Sequence, residues 1–301
     1  MEATGTRADA LLRLGAALSW RLAGRAERNR RALYGGAFGL RVVTFHDTPP
    51  DKLEPVRRLV GWASGRFEMA RPEAADALVA GRHRPGPRDA LLVTLDDGFA
   101  SNYEAARWLA DAGVAAVFFV VPSLVDRSVG EYVRFHERFG VKAFPLGRDP
   151  GARGLASSQV REMAAMGHRI GAHNFAHRDL GLLRSAADLA YEIDNAVAAV
   201  AELTGVECRD FAIGFGQPWN VSPEGAAHLL ARGLRVYACH RGLNVPGRTP
   251  RFLLRHTHEP AHPLAFTKAC LTGAGDHRLA GRAEEMARRV GRLPESDGTP
   301  G

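Results

Sequence analysis

The chain has 301 residues, of which 46% are hydrophobic and 24% are charged. These fractions are typical of a globular protein and exclude a disordered, collagen-like or coiled-coil chain. No run reaches the ~18 apolar residues that a membrane-spanning helix needs. The three cysteines, Cys208, Cys239 and Cys270, are widely spaced and form neither a disulfide framework nor a CxxC metal site. They favour a reducing compartment, which we expect to be the cytoplasm.

The net charge of +7 comes almost entirely from arginine, since only Lys52, Lys142 and Lys268 are lysines. A general bias of composition toward arginine explains this charge without any partner. The alternative is an acidic partner, such as nucleic acid, a phosphate-bearing substrate or an anionic membrane surface. The chain has no helix-turn-helix, zinc-finger or RNA-stacking motif, so we expect no nucleic-acid partner.

Residues 1–38 predict a basic amphipathic helix. Four leucines recur at helical spacing between residues 11 and 22, opposite arginines, and the apolar stretch lacks the clean core of a signal peptide. Such a helix most often packs on its own domain. Peripheral contact with the inner membrane surface is the alternative.

From residue 40 onward, short apolar runs alternate with helical patterns. The apolar runs predict strands at 40–46, 90–95, 114–121, 169–173, 210–215, 235–239 and 251–255. The helical patterns predict helices at about 53–65, 101–112, 157–166, 183–204 and 222–232. This alternation indicates an α/β protein with a mainly parallel sheet, and about seven such units favour a distorted (β/α)7-type barrel.

No linker or break in composition divides residues 39–276, which we interpret as a single barrel domain. The stretch 122–156 is rich in Gly, Pro and Arg and predicts an inserted surface loop. Residues 277–301 predict a basic helix followed by a disordered polar tail. The barrel therefore carries helical extensions at both ends, and its oligomeric state stays open.

Polar side chains follow several of the predicted strands at the point where each strand ends. His46 ends the first strand, Asp96 and Asp97 end the second, and His173 ends the fourth, four residues before His177. The carboxyl ends of parallel strands carry the active sites of such folds. One Asp with two His leaves open positions on a metal ion, which is typical of a catalytic rather than a structural site.

The same residues resemble a known family, the polysaccharide deacetylases (carbohydrate esterase family 4). Thr94-Leu95-Asp96-Asp97-Gly98-Phe99 is similar to the family's first motif, and Gly167 to His173 with His177 is similar to its second. Phe211 to Gly216 resembles the third-motif region of one branch, and Thr44-Phe45-His46 resembles the strand that opens longer members. The resemblance covers about residues 40–258.

The resemblance implies a metal-dependent hydrolase that removes an acetyl or other N-acyl group from an amino sugar or glycoconjugate. One divalent ion, usually Zn²⁺, would be held by Asp97, His173 and His177. Metal-bound water would attack the amide with Asp96 as general base, and a histidine from a late strand, His256 rather than His258, would act as general acid. The predicted substrate-binding residues are His46, Phe215, Gly216 and Arg255.

The chain departs from the family pattern in the third motif, where most members carry an arginine that orients the base. Here the matching position is Ala212, and Arg255 of the neighbouring strand is a candidate substitute. Asn174 stands where the second motif usually has Ser or Thr, and Leu254 to His258 fits the last motif loosely. The alternative to an enzyme is therefore a catalytically inactive barrel that binds a glycan or a partner protein.

Overall fold

The computed structural model describes residues 13–15, 25–84, 86–144, 146, 149–258 and 262–296. Most of the predicted N-terminal helix and the end of the predicted C-terminal tail lie outside these residues. In the described part of the chain, no helix is both long enough and apolar enough to cross a membrane.

One curled, all-parallel sheet forms the centre of the molecule, with helices packed around it. Its strands are β1 (Leu40–Phe45), β2 (Glu68–Met69), β3 (Ala90–Leu95), β4 (Ala116–Val120), β5 (Arg169–Ala172), β6 (Asp210–Ala212), β7 (Arg235–Tyr237) and β8 (His256–Thr257). Their order is β7-β6-β5-β4-β3-β1-β8, and β2 pairs with the first half of β3. A bridge between Tyr237 and Leu253 joins the approach to β8 to β7. The sheet is therefore a half-barrel that curls toward closure, and the predicted α/β fold with a distorted barrel is confirmed.

The helices follow the strands in the expected alternation. They are α1 (Arg25–Tyr34), α2 (Pro50–Ser64), α3 (Glu73–Val79), α4 (Asn102–Asp111), α5 (Val129–Glu137), α6 (Ser157–Ala165), α7 (Ala186–Leu189), α8 (Asn195–Thr204), α9 (Pro223–Ala231), α10 (Leu264–Leu271) and α11 (Asp276–Val290). Because the crossovers place helices on the sheet, the central strands β1, β3 and β4 are buried on both faces and consist mainly of apolar residues.

The two faces of the strands pack in separate hydrophobic clusters. Val43 and Phe45 of β1 belong to the outer cluster, between sheet and helices. Leu40 and Val42 of the same strand belong to the inner cluster, inside the curl, together with Leu253. Since side chains alternate along a strand, this assignment tells which later residues point into the curl.

Three of the predicted elements take a different form in the structure. The predicted inserted loop contains α5, which begins with a capping box in which Ser128 and Glu131 exchange hydrogen bonds. In place of the predicted strand 251–255 the structure has β8, which begins one residue after the end of the predicted strand. The predicted helix 183–204 is interrupted by a π-helical turn at Ala190–Asp194, which joins α7 to α8. Such turns reorient side chains and are frequent at functional sites.

Candidate functional site

The carboxyl ends of β3 and β5 bring the two predicted motifs together. Asp96 continues β3 into the curl, where Thr94 precedes it on the same face. Asp97 then adopts the left-handed conformation, with φ at 75°, and Gly98 follows at 79°. This turn brings both carboxylates near the same two imidazoles, those of His46 and His173, although in an extended strand the carboxylates would point to opposite sides.

Asp97, His173 and His177 form a buried cluster whose ligand atoms all lie within 4.8 Å of one another. The Nε2 atoms of the two histidines are 3.1 Å apart, and they lie 3.5 and 3.8 Å from Oδ1 of Asp97. Two zinc bonds of about 2.1 Å meeting at a tetrahedral angle place their ligands about 3.4 Å apart. The spacing of this cluster therefore fits one divalent ion.

The hydrogen bonds of His173 support the same interpretation. Its Nδ1 lies 2.8 Å from the carbonyl oxygen of Ala212, which can only accept, so the proton is on Nδ1 and the Nε2 lone pair faces the cluster. Burial, followed by the neighbouring His173, lowers the pKa of His177 well below its usual value. Both imidazoles are thus suited to bind a cation.

Asp96 is held by the residue that the sequence offered as a substitute for the missing third-motif arginine. The Arg255 guanidinium, fully buried, donates two hydrogen bonds to the Asp96 carboxylate, at 2.7 and 2.9 Å. It also donates to the carbonyl oxygen of Ala238 at 2.9 Å. Arg255 reaches Asp96 because it lies two residues after Leu253 and shares its inward face.

The two adjacent aspartates have opposite pKa shifts. Burial raises the pKa of Asp96, but Arg255 and, after it, His173 outweigh burial and bring the pKa to about 2. Burial also raises the pKa of Asp97, and there the opposing effects of the neighbouring His46 and His173 do not outweigh it. Arg255 is the counterion of Asp96 within the protein. The Asp97 carboxylate would gain a comparable counterion from a bound cation.

The loop that carries His177 has an unusual backbone. Asn174 and His177 have φ values of 53° and 50°, in the left-handed region that few non-glycine residues adopt. The Asn174 side chain donates to the carbonyl oxygen of Arg178 at 2.7 Å and accepts from the N–H of Gly214 at 3.3 Å. Asn174 therefore ties this loop to itself and to the segment after β6.

Glu192 is a residue of this site whose role the sequence analysis missed. Its fully buried carboxylate accepts hydrogen bonds from the backbone N–H groups of Phe175 and Ala176, at 3.2 and 3.0 Å, and from Nε of Arg178 at 2.7 Å. These three residues flank His177. The π-helical turn between α7 and α8 places Glu192 under the loop, and a pattern of helical periodicity does not reveal such a turn.

Glu192→Gln is expected to lower the affinity for divalent metal by about 10- to 100-fold, because it removes one of the acceptors that orient the His177 loop. The measurement is zinc binding by competition with a chelator of known affinity. Asp188→Asn is the matched control, because Asp188 pairs with Arg178 at 2.9 Å from an exposed position. Equal affinities of the Glu192→Gln variant and the wild type would contradict this role.

Two of the other predicted substrate-binding residues, His46 and Phe215, lie beside the cluster. His46 is exposed at the end of β1 and is near enough to lower the pKa of both Asp96 and Asp97. The Phe215 ring packs edge-on against His177, with their centroids 5.0 Å apart. Gly216 instead lies against the end of β7, where a Cβ would be 2.4 Å from the backbone nitrogen of Cys239.

His256, the predicted general acid, and His258 lie on the face of the strand opposite to Arg255. They alternate with Arg255 and therefore point out of the curl, toward the helices. His256 lies among Arg241, His258 and Arg41, and burial lowers its pKa far below the usual value. Nδ1 of His258 lies 3.0 Å from Oγ1 of Thr267 in α10. The structure does not bring either imidazole to the reacting centre.

His258 instead makes the fold sensitive to acid. Burial, followed by the neighbouring His262, lowers its pKa from 6.5 to about 4. Between these values the unfolded chain binds a proton that the folded chain does not, so stability falls as the pH falls. We expect His258→Gln to remove up to about 3 kcal/mol of this loss between pH 6.5 and 4. Urea unfolding across that range measures it, and parallel stability curves for the two proteins would contradict it.

Comparisons with known proteins agree with the motifs and the fold. Residues 83–230 match the family model described as polysaccharide deacetylase. Among solved structures, IcaB from Ammonifex degensii has a TM-score of 0.59 at 23% identity and covers 79% of this chain and 98% of its own. The de-N-acetylase from Aggregatibacter actinomycetemcomitans has a TM-score of 0.58 at 16% identity, covering 76% and 98%.

The BpsB deacetylase domain from Bordetella bronchiseptica has a TM-score of 0.56 at 20% identity and covers 73% of this chain and 96% of its own. No curated protein matches the chain. At these identities the solved structures show a shared fold, and the family model adds the motifs at the ends of β3 and β5. The resemblance predicted from Asp96-Asp97 and His173-x-x-x-His177 is thus confirmed, since residues 83–230 match the model of the polysaccharide deacetylase family.

Proposed function

We propose that this protein is a metal-dependent hydrolase that removes the N-acyl group of an amino sugar or glycoconjugate. The family and the fold support carbohydrate deacetylation. The observation that carries the proposal is the pairing of a base and a cation cluster: Asp96, held ionised by Arg255, adjoins Asp97, His173 and His177. A protein that only bound glycan would have no use for a free base beside three metal ligands.

A divalent ion bound by Asp97, His173 and His177, for which we propose Zn²⁺, would supply a Lewis acid that acidifies water and polarises the acyl carbonyl. Asp96 accepts the proton of the attacking water, as its low pKa keeps it unprotonated at neutral pH. Arg255 fixes the direction of this carboxylate through two hydrogen bonds. A backbone N–H near Phe215 donates to the oxyanion that forms on the acyl carbon.

We propose His46 as the group that protonates the leaving amine. It is an exposed imidazole beside both aspartates, whereas His256 and His258 face the helices. Its exposure at the end of β1 leaves it accessible to a sugar that enters from the rim of the sheet. His46→Gln should accordingly lower kcat and leave the metal in place.

The alternative of an inactive barrel that binds a glycan or a partner rested on the missing third-motif arginine and on the loose fit of the last motif. Arg255 can replace that arginine, because its guanidinium donates a hydrogen bond to Asp96 from the segment that leads into β8. This removes the main reason for the alternative, and the proposal therefore favours an enzyme.

The experiment is a screen for released acetate over N-acetylated sugars, nucleotide sugars and lipid-linked sugars, with the metal content measured on the same sample. We expect about one divalent ion per chain and hydrolysis of at least one class. His173→Ala should lose both the ion and the activity. Full activity after removal of the metal would contradict the proposed mechanism, and a bound ion without any hydrolysis would favour the binding-only alternative.

We also propose that the protein acts in the cytoplasm, with its basic N-terminal segment 1–38 as a peripheral membrane contact. The support is the three cysteines, each free of a disulfide, and the arginine-rich sequence of that segment. Flotation on anionic vesicles, with and without residues 1–38, tests the membrane contact.

A further inference from the structure

An apolar groove of about 620 Å³ opens beside the metal cluster. Four large apolar side chains border it and are unusually exposed: Phe144 at 45%, Phe215 at 38%, Trp219 at 53% and Leu182 at 78%. The volume lies within the range of about 300 to 1,000 Å³ that is typical of small-molecule sites. Large apolar side chains that share one open groove mark a site that binds an apolar group.

The groove begins at the reacting centre. The Phe144 and Phe215 rings pack edge-on against each other with centroids 4.8 Å apart, and they lie 5.6 and 5.0 Å from the ring of His177. An apolar wall therefore touches a ligand of the proposed metal and runs outward from it to Trp219 and Leu182.

The walls of the groove are held together before any ligand binds. Asn220 donates to the Asp179 carboxylate at 2.8 Å, and a bridge joins Leu180 to Val221. Gly181 lets these two segments approach closely, because a Cβ there would lie 1.9 Å from the carbonyl oxygen of Trp219. A preformed groove loses little conformational entropy on binding.

Two of the three charged side chains that line the groove, Arg178 and Asp179, already have partners within the protein, and the third is Lys142. Arg178 pairs with Glu192 and Asp188, at 2.7 and 2.9 Å, and Asp179 accepts the hydrogen bond from Asn220. These contacts argue against a charged group and for a neutral apolar ligand.

We propose that this groove receives the N-acyl chain of the substrate and that the preferred acyl group is longer than acetyl. The inference rests on the proposed function. The acyl chain is attached to the carbon that water attacks beside Asp97, His173 and His177, so it begins where the groove begins. The sugar ring is rimmed with hydroxyl groups and is therefore the more polar part of the substrate. Hydrolysis breaks the amide C–N bond, joins the water oxygen to the acyl carbon and transfers a proton to the amine, so it releases a fatty acid and a free amino sugar.

The test is a series of glucosamines that carry N-acetyl, N-butanoyl, N-hexanoyl and N-octanoyl groups, used below their critical micelle concentrations. We expect kcat/KM to rise by about two- to fourfold for each added methylene until the groove is filled. Amine release measures hydrolysis equally for every chain length.

A matched pair of variants assigns this gain to the groove. Trp219→Ser should flatten the dependence of kcat/KM on chain length. Val206→Ser removes a side chain that is 67% exposed but does not line the groove, and it should leave that dependence unchanged. Circular dichroism and thermal unfolding of both variants confirm that they are folded.

Three results would overturn the inference. Cleavage of the N-acetyl compound with a fall in kcat/KM as the chain lengthens would contradict it and leave the proposed function intact. A gain on an octyl glycoside of N-acetylglucosamine, without a gain on long N-acyl chains, would assign the groove to the aglycone instead. Hydrolysis of none of these compounds would contradict this inference, and it would contradict the proposed function as well if the screen over nucleotide sugars and lipid-linked sugars also showed no hydrolysis.

Discussion

Asp96→Asn is expected to lower kcat/KM by about a thousandfold while the protein keeps its divalent ion. The amide cannot accept the proton of the attacking water, and removal of a general base costs on the order of 10² to 10⁴ in rate. Asp96 is not among the three clustered ligands, so the metal content should stay the same. Rate and metal content are measured on one preparation, by product release and by elemental analysis.

Asp97→Asn is the matched control, since it makes the same chemical change one residue along the chain. Asp97 lies 3.5 and 3.8 Å from the Nε2 atoms of His173 and His177, so this variant should lose the ion as well as the activity. The assignment of base and ligand would be wrong if the two variants lost the metal equally, or if Asp96→Asn retained full activity.

Arg255→Met is expected to destabilise the fold by about 3 to 5 kcal/mol and to reduce activity in the protein that remains folded. Removing one partner of a buried ion pair leaves the other charge without compensation, and both Arg255 and Asp96 are almost entirely buried. The freed carboxylate also loses the two hydrogen bonds that direct it. Urea unfolding measures the first effect, and kcat under folding conditions measures the second.

The chain offers a second buried ion pair as a control. Arg41 of β1 contacts Asp276 of α11 at 2.7 Å, on the outer side of the sheet and away from the cluster. Arg41→Met should cost a similar amount of stability but leave kcat unchanged in folded protein. Arg255→Lys should recover part of the stability but not the rate, because lysine lacks the planar fork. Equal effects of Arg255→Met and Arg41→Met on kcat would show that Arg255 serves the fold alone.

The cluster of Asp97, His173 and His177 was predictable from sequence because it depends on local signals. The carboxyl ends of β3 and β5 follow from apolar runs with clear ends, and the four-residue spacing of His173 and His177 places two ligands in one short segment. β3 and β5 lie on either side of β4 in a parallel sheet, so their carboxyl ends lie at the same edge. The half-barrel follows from the same alternation of strands and helices.

The contacts of Arg255, His256 and Glu192 depend on information that these patterns lack. The last predicted strand ends one residue before β8 begins. Because adjacent residues of a strand face opposite sides, Arg255 points to Asp96 and His256 points to the other side of the sheet. Glu192 reaches the His177 loop through a π-helical turn. His46 acquires its place beside the aspartates only when β1 pairs with β3.

The left-handed backbone at Asn174 and His177 has a consequence for metal-free protein. Such conformations cost about 1 to 3 kcal/mol each and persist only where the surroundings hold them. A ligand that binds the folded loop alone stabilises it in proportion to the logarithm of its concentration. Chelation should therefore accelerate hydrogen exchange at the amides of Phe175 and Ala176 and leave the amides of β4 protected, so occupancy of the site sets how often this loop opens.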